Sequence, residues 1–153
     1  MRSVLDEVQD PVYRFCLLQL GREEQALEAA QETALRIVKS YGRFEGKSKT
    51  TTWALGIARN VCRELWRQAE RRPASIEPEE ASQATSGDCQ FERGEEIAQL
   101  KAAMHLLTER QRATLTLRFF EELSVSETAQ ALQMAEGTVK ATTSQALKQL
   151  RRL

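Results

Sequence analysis

SETAQALQMAEGTVK, residues 126–140, is the stretch on which the reading of this chain turns. A short helix of small and polar residues is followed by a break around Gly137 and by the start of a second helix. That is the pattern of a helix-turn-helix, the arrangement that lays an α-helix in the major groove of DNA. Ala129 is small where two such helices would cross, and Met134 is placed to plug the turn. On the second helix, Thr138, Lys140, Ala141, Thr142, Ser144, Gln145 and Lys148 are expected to face outward, with the size and polarity suited to base edges and phosphates. Val139, Thr143, Ala146 and Leu150 form its expected inner stripe. The competing reading is a plain helical hairpin within a bundle.

Outward from this stretch the chain reads as helix throughout, because apolar residues recur at helical spacing and glycine and proline are sparse. Ser124-x-x-Glu127 is a capping box opening the first helix of the pair, and Thr108-x-x-Gln111 is another, opening a helix through Phe120. A further helix is expected from about Glu92 to Leu107. Upstream, PASIEPEEASQATSGDCQ (73–90) is rich in small, polar and acidic residues with two prolines, and cannot bury enough apolar surface to order itself. Before it, a helix is expected from Asp10-Pro11 to Leu20, with a stop at Gly21. A second runs from Glu23 to Ser40 with Leu27, Ala30, Ala34, Leu35 and Val38 on its inner face. A loop, YGRFEGKSK (41–49), precedes a long helix from Thr50 to Arg71, whose inner face is Trp53, Ile57, Val61 and Leu65. The expectation is an all-α chain of two small helical domains, 1–72 and 94–153, joined by an acidic flexible linker at 73–93.

The 22 basic and 22 acidic residues cancel over the whole chain, but their distribution does not. Residues 39–72 hold nine basic and three acidic side chains, whereas 73–94 hold one and five. Three dispersed cysteines and one histidine, with no C-x-x-C, make a zinc site or a disulfide framework unexpected, and no cofactor is implied. MRSVLDEVQDP is acidic and lacks the apolar run of a signal peptide, and no 20-residue apolar span is present. A cytoplasmic protein with no membrane partner is expected. With no Gly-rich phosphate loop, no metal triad and a single histidine to act as a base, an enzyme is not expected either.

Three constellations remain. Arg59, Arg63, Arg67 and Arg71 recur every four residues and form one ridge able to track phosphates, or simply a solvated face. Just before them, GKSKTTTW (46–53) packs two lysines, four hydroxyls and an aromatic ring into eight residues, which is the chemistry of single-strand binding. Trp53 also reads as a buried anchor. Glu24, Glu28, Gln31, Glu32 and Leu35 form an acidic ridge that opposes DNA and fits a basic protein surface, or serves only solubility.

At this point a family resemblance becomes visible. Residues 20–68 resemble region 2 of bacterial RNA polymerase sigma factors, and residues 107–152 resemble region 4. QET at 31–33, TTWALGIARN at 51–60 and GTVK at 137–140 are the most specific matches. Having only these two regions is similar to the extracytoplasmic-function (ECF) group of the sigma-70 family. The resemblance implies a promoter-specificity subunit that binds core RNA polymerase, through the clamp helices and flap, and promoter DNA, with an anti-sigma factor as a possible further partner. It implies polymerase contact at Glu24, Glu28, Gln31, Glu32 and Arg36. It implies −10 recognition and hold of the non-template strand by Phe44, Lys47, Ser48, Lys49, Thr50, Thr51, Thr52 and Trp53, with Arg59, Asn60, Arg63 and Arg67. It implies −35 reading by Arg112, Arg118, Thr138, Val139, Lys140, Thr142, Ser144, Gln145 and Lys148. The recognition helix departs from the family in having Thr142 and Gln145 where basic residues are common, and Ala135 where a serine often caps. A stand-alone helix-turn-helix regulator and a sigma-like interaction protein that uses no promoter are the alternatives. How the two regions sit relative to one another is left open; packed together they would hide both DNA faces.

Overall fold

The structure, a computed structural model, describes residues 2–71 and 91–152. Its helices are α1 (Arg2–Leu20), α2 (Glu23–Ser40), α3 (Thr50–Arg71), α4 (Phe91–His105), α5 (Glu109–Leu115), α6 (Val125–Leu132) and α7 (Glu136–Arg151). A 3₁₀ turn at Tyr41–Arg43 follows α2, and a π-helical turn at Thr116–Phe120 continues α5. The described residues are helical with no strand, as the spacing predicts. Of the expected linker at 73–93, residues 73–90, Cys89 among them, lie outside the described residues, and 91–93 belong to α4.

The helix expected to start at Asp10-Pro11 starts instead at Arg2, with Pro11 inside it. An internal proline removes one backbone hydrogen bond and crowds the preceding turn, at about 3 kcal/mol. The apolar face carries across it nonetheless: Val8, Val12, Phe15, Cys16 and Leu20 are all buried, with Val4 and Leu5 packed against them. Burial of those N-terminal turns outweighs the local penalty.

On α2 the buried residues are Ala26, Ala29, Thr33 and Ile37. The inner face expected from Leu27, Leu35 and Val38 is wrong: these are about half exposed. The helix packs through its small residues, and the Thr33 hydroxyl is satisfied by donating to the Ala29 carbonyl at 2.7 Å. On α3 the core is Ala54, Leu55, Ala58, Val61 and Cys62, while Trp53, Ile57 and Leu65 flank it half-buried.

Both capping boxes form as read. Thr108 Oγ1 accepts from Gln111 N at 3.2 Å and Gln111 Oε1 from Thr108 N at 3.1 Å. Ser124 Oγ accepts from Glu127 N and Glu127 Oε1 from Ser124 N, each at 3.0 Å. The break between α6 and α7 is not made by Gly137, which lies inside α7. It is made by Gln133, which closes α6 in the left-handed region at φ 53°, with the Met134 N–H returning to the Ala129 carbonyl. Ala135 begins α7 without a side-chain cap.

A single apolar cluster runs through both halves of the chain. Phe15, Ile37, Leu55 and Val61 share it with Ala113, Leu117, Leu123, Ala131 and Leu132. A smaller cluster of Met104, Leu107, Leu115 and Ala146 joins α4, α5 and α7. The two halves are therefore packed together, with α6 lying on α3 and α1 against α5. Gln19 seals this contact from inside, donating to the Thr116 hydroxyl at 3.1 Å.

Candidate nucleic-acid interface

The segment between α2 and α3 turns at Gly46, whose φ of 73° suits glycine. It brings three rings together: Phe44 stacks on Trp53 at 4.7 Å between centroids, and Tyr41 stands 6.4 Å from each. Arg43, Glu45, Lys47 and Ser48 line a cleft beside this aromatic wall. Lys47 is exposed and pairs with Glu45 at 2.9 Å. Thr50 and Thr51 are half-buried in the first turn of α3.

The remaining residues of this set meet the C-terminal half. Lys49 Nζ lies 3.3 Å from Glu127, and the Thr52 hydroxyl, itself buried, donates to the same carboxylate at 3.5 Å. Arg59, expected on an open ridge, is only 7% exposed. Its Nε and Nη2 donate to Glu109 at 3.0 and 3.3 Å, and its Nη1 to the Leu132 carbonyl at 3.2 Å. Further along α3, Asn60 and Arg67 are exposed and Arg63 half-buried.

On α7, Lys140, Ala141, Ser144, Gln145 and Lys148 are exposed and Thr138 half-buried. Thr142, expected outward, is buried with Val139 and Ala146, while Thr143 is the half-buried one and donates to the Val139 carbonyl at 2.7 Å. Val139 and Ala146 are buried and Leu150 packs beside them as expected; Thr142 alone replaces Thr143 in the inner stripe. Arg118 donates to the Leu123 carbonyl and is half-buried. Arg112, expected to face DNA, is buried instead: it is 2% exposed, its guanidinium 5.4 Å from the Trp66 ring, and burial pushes its pKa down, with nearby Glu109 acting in the opposite direction.

Glu24, Glu28 and Gln31 are exposed on α2. Glu32 is half-buried and accepts from Arg36 at 3.1 Å. Arg36 also forks onto Glu64 of α3, and hydrogen bonding from that guanidinium holds the Glu64 carboxyl below its ordinary range. Leu35, expected on this ridge, is exposed there; the sequence reading missed that Leu27 and Val38 stand among these acids, and that Phe119, Phe120 and Leu106 are exposed on the C-terminal half. The Ala26–Ala29–Thr33–Ile37 spacing was the available signal for the first of these. Among the described residues no group of His, Cys, Asp or Glu is gathered for a metal ion, and no helix is long and apolar enough to cross a membrane.

Residues 4–72 match the family described as Sigma-70 region 2, and residues 97–150 match Sigma-70 region 4. The chain is 31% identical over 154 residues to the ECF RNA polymerase sigma factor SigX of Bacillus subtilis, covering 96% of this chain and 79% of that one. The chain belongs to the ECF sigma factors. RNA polymerase sigma-E factor of Streptomyces avermitilis is 34% identical, covering 99% of this chain and 76% of its own length. The ECF sigma factor BldN of Streptomyces coelicolor is longer, and the chain spans 58% of it at 28% identity. The fold is shared with the sigma factor RpoE, solved in complex with the anti-sigma factor NepR from Bartonella quintana, at a TM-score of 0.77 and 21% identity over 99% of this chain and 94% of that one. Like its relatives, this sigma factor directs promoter-specific transcription initiation with RNA polymerase.

Proposed function

We propose that this sigma factor docks on core polymerase through the exposed face of α2, reads the −35 element with α7, and holds the opened non-template strand with the segment 44–53 and the basic side of α3. The observation that carries the reading is the aromatic wall: Phe44 on Trp53 at 4.7 Å, beside Lys47 and Ser48. A stand-alone helix-turn-helix regulator has no use for such a surface, because duplex bases are stacked inside the helix and only an extruded base can reach a ring. Stacking returns about 1–3 kcal/mol per base, while extrusion costs a few kcal/mol, so capture needs polymerase to hold the bubble. The Lys140, Ser144 and Gln145 face of α7 supplies few cations, so −35 binding is weak by itself and gains from being tethered to the rest of the complex. Nothing in the reading requires a cofactor or a reaction at this chain, and the site of action is the cytoplasm, with the polymerase. In vitro transcription from a randomised promoter library with core polymerase tests it. Transcripts that start from a shared −35 and −10 pair are expected. Duplex binding without any polymerase-dependent start would instead assign a regulator, and polymerase binding without starts an interaction protein.

A further inference from the structure

We propose that Cys16 and Cys62 are a redox-active dithiol, which thiol oxidants convert into a disulfide that staples α1 to α3 within the N-terminal half. The two residues lie 46 positions apart, and nothing in their spacing links them. The fold does. Both are free thiols, both are buried, and both belong to the apolar cluster in which α1 packs against α3. There the Cys62 thiol shares a hydrogen bond with Cys16. A buried cysteine commonly serves as a small apolar side chain, but that use asks nothing of a second sulfur. Sulfur meeting sulfur across two packed helices is what a disulfide requires, because only the last approach to about 2.0 Å remains to be made. Among the described residues no third His, Cys, Asp or Glu completes a metal-binding group with them.

The oxidant is a hydroperoxide or a low-molecular-weight disulfide. With hydrogen peroxide, one thiol loses its proton and its sulfur attacks the O–O bond. A sulfenic acid forms, and the departing hydroxide takes up the proton as water. The second sulfur then attacks the first, forms the S–S bond and expels the sulfenic oxygen as hydroxide, which takes the second thiol's proton. Two thiols give up two electrons, and one peroxide becomes two waters. A small disulfide reaches the same bond by two exchanges and leaves as two thiols.

The pair is guarded in the resting fold. Hydrogen bonding to Cys16 and burial push the Cys62 thiol well above its ordinary pKa, with Glu109 adding to the shift and Arg112 opposing it. The thiolate is the reactive form, so oxidation proceeds through brief openings of the α1–α3 contact. Pro11 makes α1 the element that opens: it lies inside the helix, five residues before Cys16, and denies the preceding turn one hydrogen bond. The response is therefore slow, on the order of minutes to hours. Once closed, the bond makes a covalent ring of residues 16–62 that holds all of α2 and the 41–49 segment. In the chain-entropy account a ring of this length raises Tm by about 10 °C. A more stable fold opens less often to proteases, so an oxidised molecule outlives a reduced one.

The test uses the full chain carrying Cys89→Ser, which removes the third thiol from the count. Reduced protein is treated with hydrogen peroxide and, separately, with oxidised glutathione. Free thiols are then counted under denaturing conditions, a non-reduced digest is mapped by mass spectrometry, and Tm is read by circular dichroism before and after dithiothreitol. Loss of both thiols in a monomer is expected, with a peptide joining Cys16 to Cys62. A Tm gain of about 10 °C that dithiothreitol reverses, and proteolysis slowed at least about fivefold, should accompany it. Adding Cys16→Ala or Cys62→Ala should abolish the Tm gain. If either variant fails to fold, the reduced and oxidised forms of the Cys89→Ser chain still decide the matter. Three results would each overturn the proposal: two thiols left free by an oxidant that consumes an exposed cysteine in a control peptide, glutathione adducts or intermolecular bridges in place of the internal bond, or an internal bond with no reversible gain in stability.

Discussion

Leu35→Ala combined with Val38→Ala should weaken binding to core polymerase about tenfold while leaving the fold intact. Leu35 is 55% exposed and Val38 47% exposed, on the face of α2 that also carries Glu24, Glu28 and Gln31. Fully burying a leucine or valine side chain is worth about 1.5–3 kcal/mol. Roughly half of each remains for a partner to cover, and alanine keeps the Cβ, so the pair is worth about 1.5 kcal/mol, or about tenfold in Kd. A single exposed charge at the same rim is worth about 0–1 kcal/mol and is screened by salt. The apolar pair should therefore dominate, and its loss should be nearly independent of ionic strength. The reversal Glu24→Lys with Glu28→Lys should weaken binding in a salt-dependent way. These two acids suit the reversal better than Glu32, which Arg36 holds. Alanine favours helix over either residue removed, so α2 itself should not suffer. Competition binding of labelled protein to core polymerase, at two salt concentrations and beside circular dichroism, measures both. Parental affinity in a folded Leu35→Ala/Val38→Ala variant would refute the argument that this face docks.

Three further outcomes follow from the geometry. Ser124→Ala removes the acceptor for the Glu127 N–H, which should lower stability by about 1 kcal/mol and Tm by about 3 °C; an unchanged calorimetric Tm would show that α6 is held by packing alone. Lys140→Ala on the exposed side of α7 should reduce duplex affinity and lower the salt slope by about one unit. If affinity, slope and sequence preference all stay at parental values, α7 is not the groove-docking helix. Alanine at 47–51 should spare closed complexes but abolish permanganate-reactive thymines, with partial rescue on a template mismatched over the −10 element; normal opening would reduce this segment to a connector.

What the sequence makes legible here is local. The two capping boxes, the Thr50–Arg71 span and the existence of the α6–α7 pair are set by residues within a few positions of one another and form as read, although the turn between α6 and α7 is made at Gln133 and not at Gly137. Misreadings occur where a distant element decides. Thr142 rather than Thr143 turns inward because of where α6 meets α7, and both choices satisfy the same three- and four-residue spacing from Val139 and Ala146. The stripe drawn through Leu27, Leu35 and Val38 followed side-chain size, whereas α2 packs through Ala26, Ala29 and Thr33, where closeness matters more than bulk. Arg59 is the sharpest case. Its four-residue spacing from Arg63 marks a ridge, but its partner Glu109 lies 50 positions away, and no local pattern announces that pairing.

The shared core has a consequence for the protein's first seconds. The chain is made from the N-terminus, and the residues that close over α3, ending at Leu132, follow Arg71 by roughly 60 positions. At about 5–20 residues per second, the ribosome needs roughly 3–12 s to deliver them. Helices α1 to α3 carry most of the large apolar cluster among themselves, so they can collapse before α5 and α6 exist. Throughout that interval the side of α3 that α6 will cover is open, and the Arg59 guanidinium lacks its Glu109 partner. A nascent chain thus passes through an uncovered form before it is finished, and a slower stretch of translation between the two halves would lengthen the time it spends there.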